Sequence, residues 1–426
     1  MLRFAHSLTK DLHIRDLRTA LLYHIISKQN NEELLIRLDD TDTKNNIEGN
    51  EKELLELLTL FGIDHSRVTA QSENIKYHTG MGMKLLLDKK SFNCFCSNEA
   101  LESDKQKAKK EGKLYSYSGF CETISDETKF QCNAPFVVRM KKPNGSIEIN
   151  DTLKGKLQFE ADQVDSIIIL DHDKKPTQVF ASAVDDMLHD ISFIIQDEQI
   201  IINASQETHI RKSLGYDKEI NYLHTADILP TQDLTETPSV RSLIKKGYLP
   251  IAIANYILQL GYSHPRDIFS IEEAIEWFDI KKLSQETSYF DIEKLKQINQ
   301  KYIISLDDMR LSKIVGFADE DLGKLAKIYA NEYFTTNEIK EKIQEIFSEK
   351  QVPSELKEEL ISLKKCLKNA PFMKEFEDLK KYAQKETNIE ESKLLESLSF
   401  LLTGSKDEAK LNQIYPFIRN YLGEII

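Results

Sequence analysis

The sequence contains little of what marks a secreted or membrane-embedded protein. Its 426 residues include only 5 cysteines, 10 prolines and 15 glycines. An odd, small number of cysteines argues against a disulfide framework. No stretch approaches the roughly 18 to 20 apolar residues of a membrane span, and the opening Met1-Leu2-Arg3-Phe4 does not read as a signal peptide. The sequence therefore predicts a cytoplasmic protein with no membrane partner.

Positive charge is also scarce. The chain has 57 lysines and arginines against 70 aspartates and glutamates, which gives a net charge of −13. It therefore lacks the global basic field of many nucleic-acid-binding proteins, although local basic patches can still hold RNA. With 40% hydrophobic and 30% charged residues the composition is that of a globular protein, and the length suits two to four domains. We expect a monomer.

Hydrophobic periodicity divides the chain into an α/β part and a helical part. Residues 12–27 and 48–61 have helical periodicity, and the apolar run 33–38 between them is typical of a buried strand. Strand and helix alternate again over 166–170 and 191–202. This alternation predicts a parallel sheet with ligand sites at the carboxyl ends of its strands. From about residue 243 the pattern is almost wholly helical, including 338–350 and 354–367.

Residues 89–163 interrupt the α/β pattern. They contain Cys94, Cys96, Cys121 and Cys132, and they predict strands at 136–140 and 146–150. The Pro-Asn-Gly sequence between the two strands is typical of a turn. We interpret this segment as an inserted α+β subdomain.

The amino-terminal stretch, residues 3–21, carries a resemblance to a known family. It contains Arg-Phe-Ala-His-Ser-Leu-Thr-Lys, then Leu-His-Ile-Arg, then Arg-Thr-Ala. It resembles the opening of bacterial glutamyl-tRNA synthetases, which reads Arg-Phe-Ala-Pro-Ser-Pro-Thr-Gly, Leu-His-Ile-Gly and Arg-Thr-Ala. Further similar segments at 176–186, 247–263 and 290–303 extend the likeness over the whole chain.

The resemblance implies the architecture of a class I synthetase. Its parts are a Rossmann-like α/β catalytic domain, an inserted subdomain and an all-α anticodon-binding-type domain. The boundaries that we predict are 1–88 and 164–242 for the two catalytic halves, 89–163 for the insertion, 243–303 for a helical stem-contact domain, and 304–426 for the helical carboxyl-terminal domain.

The nucleotide motif departs from the family pattern. By resemblance His13 is a catalytic remnant of this motif, although a single histidine near a helix start fits a structural role equally well. His6 stands where the family has proline, and Lys10 and Arg15 stand where it has glycine. Because glycine permits close backbone approach to phosphates, we expect the Arg15 side chain to project into the nucleotide pocket, next to Asp16.

The substrate motif is altered as well. By resemblance the substrate-binding positions are Arg3, Ser7, Asp39, Gln178, Ser182 and Gln196. Gln196 replaces the arginine that pairs with the side-chain carboxylate of glutamate, and a neutral amide does not reproduce that bidentate contact. Asp39 retains the charge of the family's glutamate, whereas the neighbouring Asp40 and Asp42 can equally serve only as turn and helix caps.

A lysine-rich loop of the family is missing. The family's Lys-Leu-Ser-Lys-Arg supplies cations that stabilise the transition state of adenylate formation. Here its two lysine positions are Asp233 and Glu236. Anions at these positions predict a severe loss of amino-acid activation.

The cysteines suggest a metal site. Cys94, Cys96 and Cys121 match the zinc-binding spacing of some family members, whose fourth ligand is a histidine or a tyrosine. The histidine position is Thr123 here, which leaves Tyr117 or Cys132 as fourth ligand to zinc. The other interpretation is a set of free thiols from which the metal has been lost.

Three functions follow from these motifs. The first is a synthetase-like protein that is impaired in glutamate activation and tRNA charging and has a binding or regulatory role involving tRNA. The second is a divergent active ligase, for glutamate and tRNA or for another small acid, which would use ATP and Mg²⁺. The third is a protein-interaction scaffold.

Overall fold

The amino-terminal strand–helix–strand unit establishes the main sheet. In the computed structural model, which describes residues 1–112, 115–231, 236–406 and 408–426, strand β1 (Leu2–Ser7) leads through helix α1 (Ile14–Asn30) to β2 (Leu34–Asp39). The strands are parallel and in register from Leu2 opposite Leu34 to Ser7 opposite Asp39. All of β2 is buried, as expected for a parallel strand covered on both faces. The register brings Ser7 and Asp39 to the same carboxyl edge.

The described strands form three sheets. The remaining strands are β3 (Arg67–Ala70), β4 (Ser91–Cys94), β5 (Val137–Met140), β6 (Ile147–Asp151), β7 (Gly155–Phe159), β8 (Ile168–Leu170), β9 (Phe193–Asp197), β10 (Asn221–Thr225), β11 (Ile228–Pro230) and β12 (Ser288–Phe290). A seven-stranded sheet has the order β3-β2-β1-β9-β10-β6-β7. All its pairs are parallel except β6–β7. The other two sheets are β4-β5-β8 and β11-β12.

Helices cover the α/β part and make up most of the rest. Up to residue 240 they are α2 (Asn50–Leu60), α3 (Ile75–Leu87), α4 (Asn98–Lys110), α5 (Asp126–Gln131), α6 (Ala161–Val164), α7 (Gln178–Leu188) and α8 (Ile201–Ser213). From Val240 onward they are α9 (Val240–Lys245), α10 (Pro250–Gln259), α11 (Ile271–Trp277), α12 (Ile292–Ser305), α13 (Asp308–Ile314), α14 (Glu320–Tyr329), α15 (Thr336–Phe347), α16 (Lys357–Leu367), α17 (Phe376–Thr387), α18 (Glu391–Thr403), α19 (Leu411–Ile418) and α20 (Leu422–Ile425). Among the described residues, no helix is both long and apolar enough to cross a membrane.

The chain divides into two compact units. The first contains Met1–Val240, Ile257–Pro265 and Phe269–Phe290, and the second contains Arg241–Tyr256, Arg266–Ile268 and Asp291–Ile426. The predicted fold class is confirmed, since a Rossmann-like α/β part precedes a helical part. The finer domain boundaries stay a prediction. Within the predicted insertion, β4 and β5 belong to the three-stranded sheet, whereas β6 and β7 extend the seven-stranded sheet.

Two helices of the second unit, α13 and α14, approach each other closely at a glycine. A Cβ added to Gly323 of α14 would lie 1.8 Å from the backbone oxygen of Asp308, which begins α13. Backbone atoms cannot rotate away as a side chain can. Glycine at this position therefore permits the packing of α13 on α14 around buried Leu311 and Leu325.

We expect Gly323→Ala to destabilise the second unit by about 3 kcal/mol, because the methyl group must displace backbone. Gly80→Ala is the matched control. Gly80 also lies within a helix, but its added Cβ meets nothing within 4 Å, so helix propensity alone should stabilise that variant by about 1 kcal/mol. Urea unfolding followed by circular dichroism measures both. Equal effects of the two substitutions would contradict the packing argument.

Candidate functional site

A cavity of about 320 Å³ lies at the carboxyl ends of β1, β2 and β9. This is where open α/β sheets hold their ligands. Its lining includes all six predicted substrate-binding residues and three of the four altered nucleotide-motif residues, namely Arg3, Ser7, Asp39, Gln178, Ser182, Gln196, His6, Lys10 and Asp16. The sheet topology therefore gathers into one cavity side chains that are up to 193 positions apart.

Arg3 forms a buried ion pair beside the cavity. Its Nε and Nη2 donate to Oδ1 and Oδ2 of Asp186 on α7, at 2.8 and 3.1 Å. Both side chains are almost fully buried. Burial by itself opposes either charge, but their mutual attraction outweighs it, so that the pKa of Arg3 is raised and the pKa of Asp186 is lowered. Arg3 is thus already occupied by a carboxylate of the protein.

Arg37 links two of the predicted substrate residues. Its Nε donates to Asp39 Oδ1 at 2.7 Å, and its Nη2 donates to Ser182 Oγ at 2.9 Å. Its Nη1 also reaches Asp186 Oδ1 at 3.2 Å. No predicted role falls on Arg37, although its position two residues before Asp39 places both on one face of β2.

Gln196 has a neutral side chain, and its amide contacts a buried carboxyl group. Its Nε2 lies 3.5 and 3.4 Å from Oε1 and Oε2 of Glu207, which lies on α8. Burial, followed by the nearby Asp186 charge, raises the pKa of Glu207 to about 7. No predicted role falls on Glu207 either, because its helix gives no local sign that the residue faces a cavity.

The nucleotide-motif residues are only partly brought together. Lys10 Nζ lies 3.0 Å from Asp16 Oδ1, and Asp16 Oδ2 accepts a bond from the backbone N–H of His13, which precedes α1. His13 and Arg15 do not line the cavity. His13 Nδ1 lies 3.1 Å from the Thr237 carbonyl oxygen, and the half-exposed Arg15 guanidinium lies 3.5 Å from Asp227 Oδ1. The roles predicted for His13 and Arg15 stay predictions.

Of the two acidic residues at the lysine-loop positions, only Glu236 belongs to the part of the chain that the structure describes. Asp233 lies outside the described residues. Glu236 is described, is exposed, and is not among the lining residues. The catalytic assignment of these positions therefore rests on the sequence alone.

Three cysteines and one tyrosine form a second cluster. The sulfur atoms of Cys94, Cys96 and Cys121 lie within 4.8 Å of one another. The Tyr117 hydroxyl lies 3.4 Å from the sulfurs of Cys94 and Cys96. Three thiols and a phenol are a donor set that fits tetrahedral zinc, with Tyr117 at the fourth position. Cys132, the alternative ligand, is exposed and is not part of this group.

Comparison with known proteins identifies relatives. Residues 1–297 match the family described as "tRNA synthetases class I (E and Q), catalytic domain". The chain is 44% identical to "Glutamate--tRNA ligase 2" of Sulfurimonas denitrificans and 42% identical to "Glutamate--tRNA ligase 1" of Campylobacter curvus, with 100% of each chain covered. It also resembles the crystal structure of a glutamate tRNA ligase from Elizabethkingia meningosepticum, with a TM-score of 0.79 and 20% identity over 100% of this chain and 98% of that one.

We expect the purified protein to contain one zinc ion per chain, held by the cysteine cluster. Cys94→Ser or Cys121→Ser should remove it, because each deletes a thiolate ligand. Cys132→Ser should keep full zinc content and serves as the matched control. Metal analysis after extensive dialysis measures the content. Zinc retained in Cys94→Ser, or absent from the unchanged protein, would contradict this assignment.

Glu207 should make stability depend on pH. Its pKa rises from 4.5 in the unfolded chain to about 7 in the folded one. The folded protein therefore binds more protons between these values, and this contribution to the free energy of unfolding decreases as pH rises through them.

Glu207→Gln removes this contribution, since its amide does not titrate. Relative to the unchanged protein, the variant should gain up to about 3 kcal/mol between pH 4.5 and 7. Denaturant unfolding across this range measures the difference, with Glu148→Gln, at an exposed carboxylate of β6, as control. A difference that stays constant with pH would argue against a raised pKa.

Proposed function

Since the chain belongs to the class I glutamyl- and glutaminyl-tRNA synthetase family, we propose that it is a glutamyl-tRNA synthetase-like protein impaired in ordinary glutamate activation and tRNA charging. It binds tRNA and has a regulatory role instead of a catalytic one. The observation that carries this proposal is the charge pairing inside the cavity.

Each described cation that lines the cavity already has a carboxylate partner. Arg3 is paired with Asp186, Arg37 with Asp39, and Lys10 with Asp16. A glutamate side chain or a nucleotide phosphate entering the cavity would have to displace one of these partners. Displacement from the buried pairs of Arg3 and Arg37 is costly, because the abandoned carboxylate would remain buried without a counter-charge, whereas Lys10 is half exposed and its pair is weak.

The contacts of Gln196, at the position that would select glutamate, support the same proposal. Gln196 offers an amide, and that amide already faces the carboxyl group of Glu207. A dicarboxylic amino acid bound there would place its side chain against a buried acid instead of a guanidinium. The expected consequence is weak binding of glutamate.

The acidic residues in the lysine loop add to the loss of activity. If each missing transition-state contact costs about 2.7 to 4 kcal/mol, loss of two slows activation by many thousandfold. Asp233 and Glu236 would in addition repel the triphosphate. Restoring the family residue at position 196 alone, or the lysines of the loop alone, should therefore recover little activity.

An active ligase is the alternative. It is favoured by the full-length similarity to proteins named glutamate–tRNA ligases and by the retention of Arg3 and His13. In that case the protein would use ATP and Mg²⁺ and would charge tRNA with glutamate or another small acid. The cavity would then have to exchange its internal ion pairs for contacts to the substrate.

Amino-acid-dependent ATP–pyrophosphate exchange tests the proposal. We expect no glutamate-dependent exchange above background at saturating ATP and Mg²⁺, because the activating cations are absent or paired. The Sulfurimonas denitrificans relative, assayed in parallel, is the positive control. Exchange at an ordinary rate with glutamate would refute the proposal, and exchange with a different amino acid would establish the alternative ligase.

A filter-binding titration with transcribed tRNA at two salt concentrations separates a tRNA-binding role from a pure protein-interaction scaffold. Saturable binding that weakens with salt is expected, since local lysine and arginine contacts to phosphates release counterions. The absence of such binding would favour the scaffold.

A further inference from the structure

The helical second unit contains a cavity whose lining residues all belong to that unit. It has a volume of about 360 Å³ and lies among α15, α16, α18 and α20. Every site residue predicted from the sequence precedes residue 240, so this cavity is not one of the predicted sites. Its apolar lining consists of Phe347, Val352, Leu360, Phe400, Leu401, Ile425 and Ile426.

Lys350 places an ammonium group in this otherwise apolar lining. Its Nζ donates to the carbonyl oxygen of Ile346 at 2.7 Å and lies 3.5 Å from that of Ser348. Ile346 is in the last turn of α15, where free carbonyl groups attract a cation and hold it in place. Because an ammonium group has three donors, at least one N–H is not taken up by these two carbonyl oxygens.

A second lysine of the lining, Lys364 on α16, adds to the positive charge. Burial, followed by the charge of Lys364, lowers the pKa of Lys350 to about 8, so that its amine is still mostly protonated at pH 7. Within the described residues, neither lysine forms an ion pair with a carboxylate. Two like charges thus face the cavity without an opposite charge between them.

The glutamates of the lining do not neutralise these lysines. Glu349 and Glu424 also line the cavity, but both are exposed. An exposed carboxylate keeps its hydration and interacts only weakly with a distant cation. In the described part of the chain, neither glutamate pairs with Lys350 or Lys364. The positive charge beside the apolar lining therefore remains uncompensated.

These properties exclude several kinds of ligand. A cation would be repelled by both lysines. A neutral apolar molecule would cover the lining but would leave the two charges without a partner, in a place that water leaves. A small inorganic anion would pair with the lysines but would leave the apolar lining in contact with water.

We infer that this cavity binds a medium-chain fatty acid, whose carboxylate accepts from Lys350 and faces Lys364 while its hydrocarbon chain covers the apolar lining. Such a ligand is the simplest one that joins a negative charge to an apolar body. The volume of about 360 Å³ lies within the usual range of small-molecule sites, roughly 300 to 1,000 Å³. The site would exist whether or not the α/β cavity activates glutamate, because the two cavities have no lining residue in common.

Calorimetric titration of the unchanged full chain with three matched ligands tests the charge of the ligand. Octanoate, octanamide and octylammonium share the same chain length and carry a negative, a neutral and a positive head group. Octanoate should bind about tenfold more tightly than octanamide, as expected for a hydrogen bond between charged groups, and octylammonium should bind most weakly. Equal binding of octanoate and octanamide, or preferred binding of octylammonium, would overturn the inference.

A series of shorter carboxylates tests the apolar part of the site. Affinity should rise by about twofold to fourfold per methylene group from butyrate through hexanoate to octanoate, because each group is removed from water. The same affinity for butyrate and octanoate would show that only the charge is recognised, which contradicts a fatty-acid site.

A nucleotide is the competing occupant, since this unit contains the predicted anticodon-binding-type domain. Cytidine monophosphate carries a negative charge on a polar body that gains little from the apolar lining. It should therefore bind more weakly than octanoate and should not displace it. Displacement of octanoate by equimolar cytidine monophosphate would overturn the inference.

Neighbouring lysines of one helix localise the site. Lys364→Gln, and more strongly Lys350→Gln, should weaken octanoate binding, the latter by about tenfold. Lys365→Gln is the matched control, because Lys365 is exposed, follows Lys364 directly on α16 and does not line the cavity. Circular dichroism establishes that the three variants are folded. An affinity of Lys350→Gln equal to that of Lys365→Gln would overturn the site.

Discussion

The rest of the cavity depends on one buried carboxylate, that of Asp186, which lies among three guanidinium groups. Asp186 lies 2.8 Å from Arg3, 3.2 Å from Arg37 and 4.0 Å from Arg211. These residues come from β1, β2, α7 and α8, so one carboxylate connects two strands of the main sheet with two helices. A buried charge that loses its partner costs several kcal/mol, and the four groups are therefore interdependent.

The pairing of arginines with carboxylates of the protein affects which ligands the cavity can bind. Arg3 and Arg37, which both line the cavity, are paired with the carboxylates of Asp186 and Asp39, so that their charges are compensated within the protein. His6 Nδ1 and Gln196 Oε1, in the same cavity, are buried acceptors without a hydrogen-bond partner among the described residues. Under the proposed function, this pairing of the arginines is what disfavours an anionic ligand in the cavity.

Membership of the family establishes the fold of this chain, whereas its function depends on individual side chains. The identity of 41–44% to several ligases extends over the full chain and establishes a shared fold. Function depends on a few side chains, and by the resemblance Gln196 and Lys10 stand where the family has arginine and glycine. The cysteine cluster shows the opposite case, since the spacing of Cys94, Cys96 and Cys121 is retained and the fold brings their sulfurs together.

Much of the fold and many of the cavity residues could be predicted from the sequence, because they depend on local patterns. The apolar run that became β2 and the helical periodicity of α1 are properties of short segments, and the motif positions Arg3, Asp39 and Gln196 are recognisable by resemblance. The sequence alone did not reveal that Arg37 and Glu207 belong to the cavity, or that Arg15 turns to Asp227. It also left open whether Tyr117 or Cys132 lies beside the other cysteines. Those outcomes depend on distances between residues far apart in the chain, and such distances are decided only when the sheet and its covering helices pack.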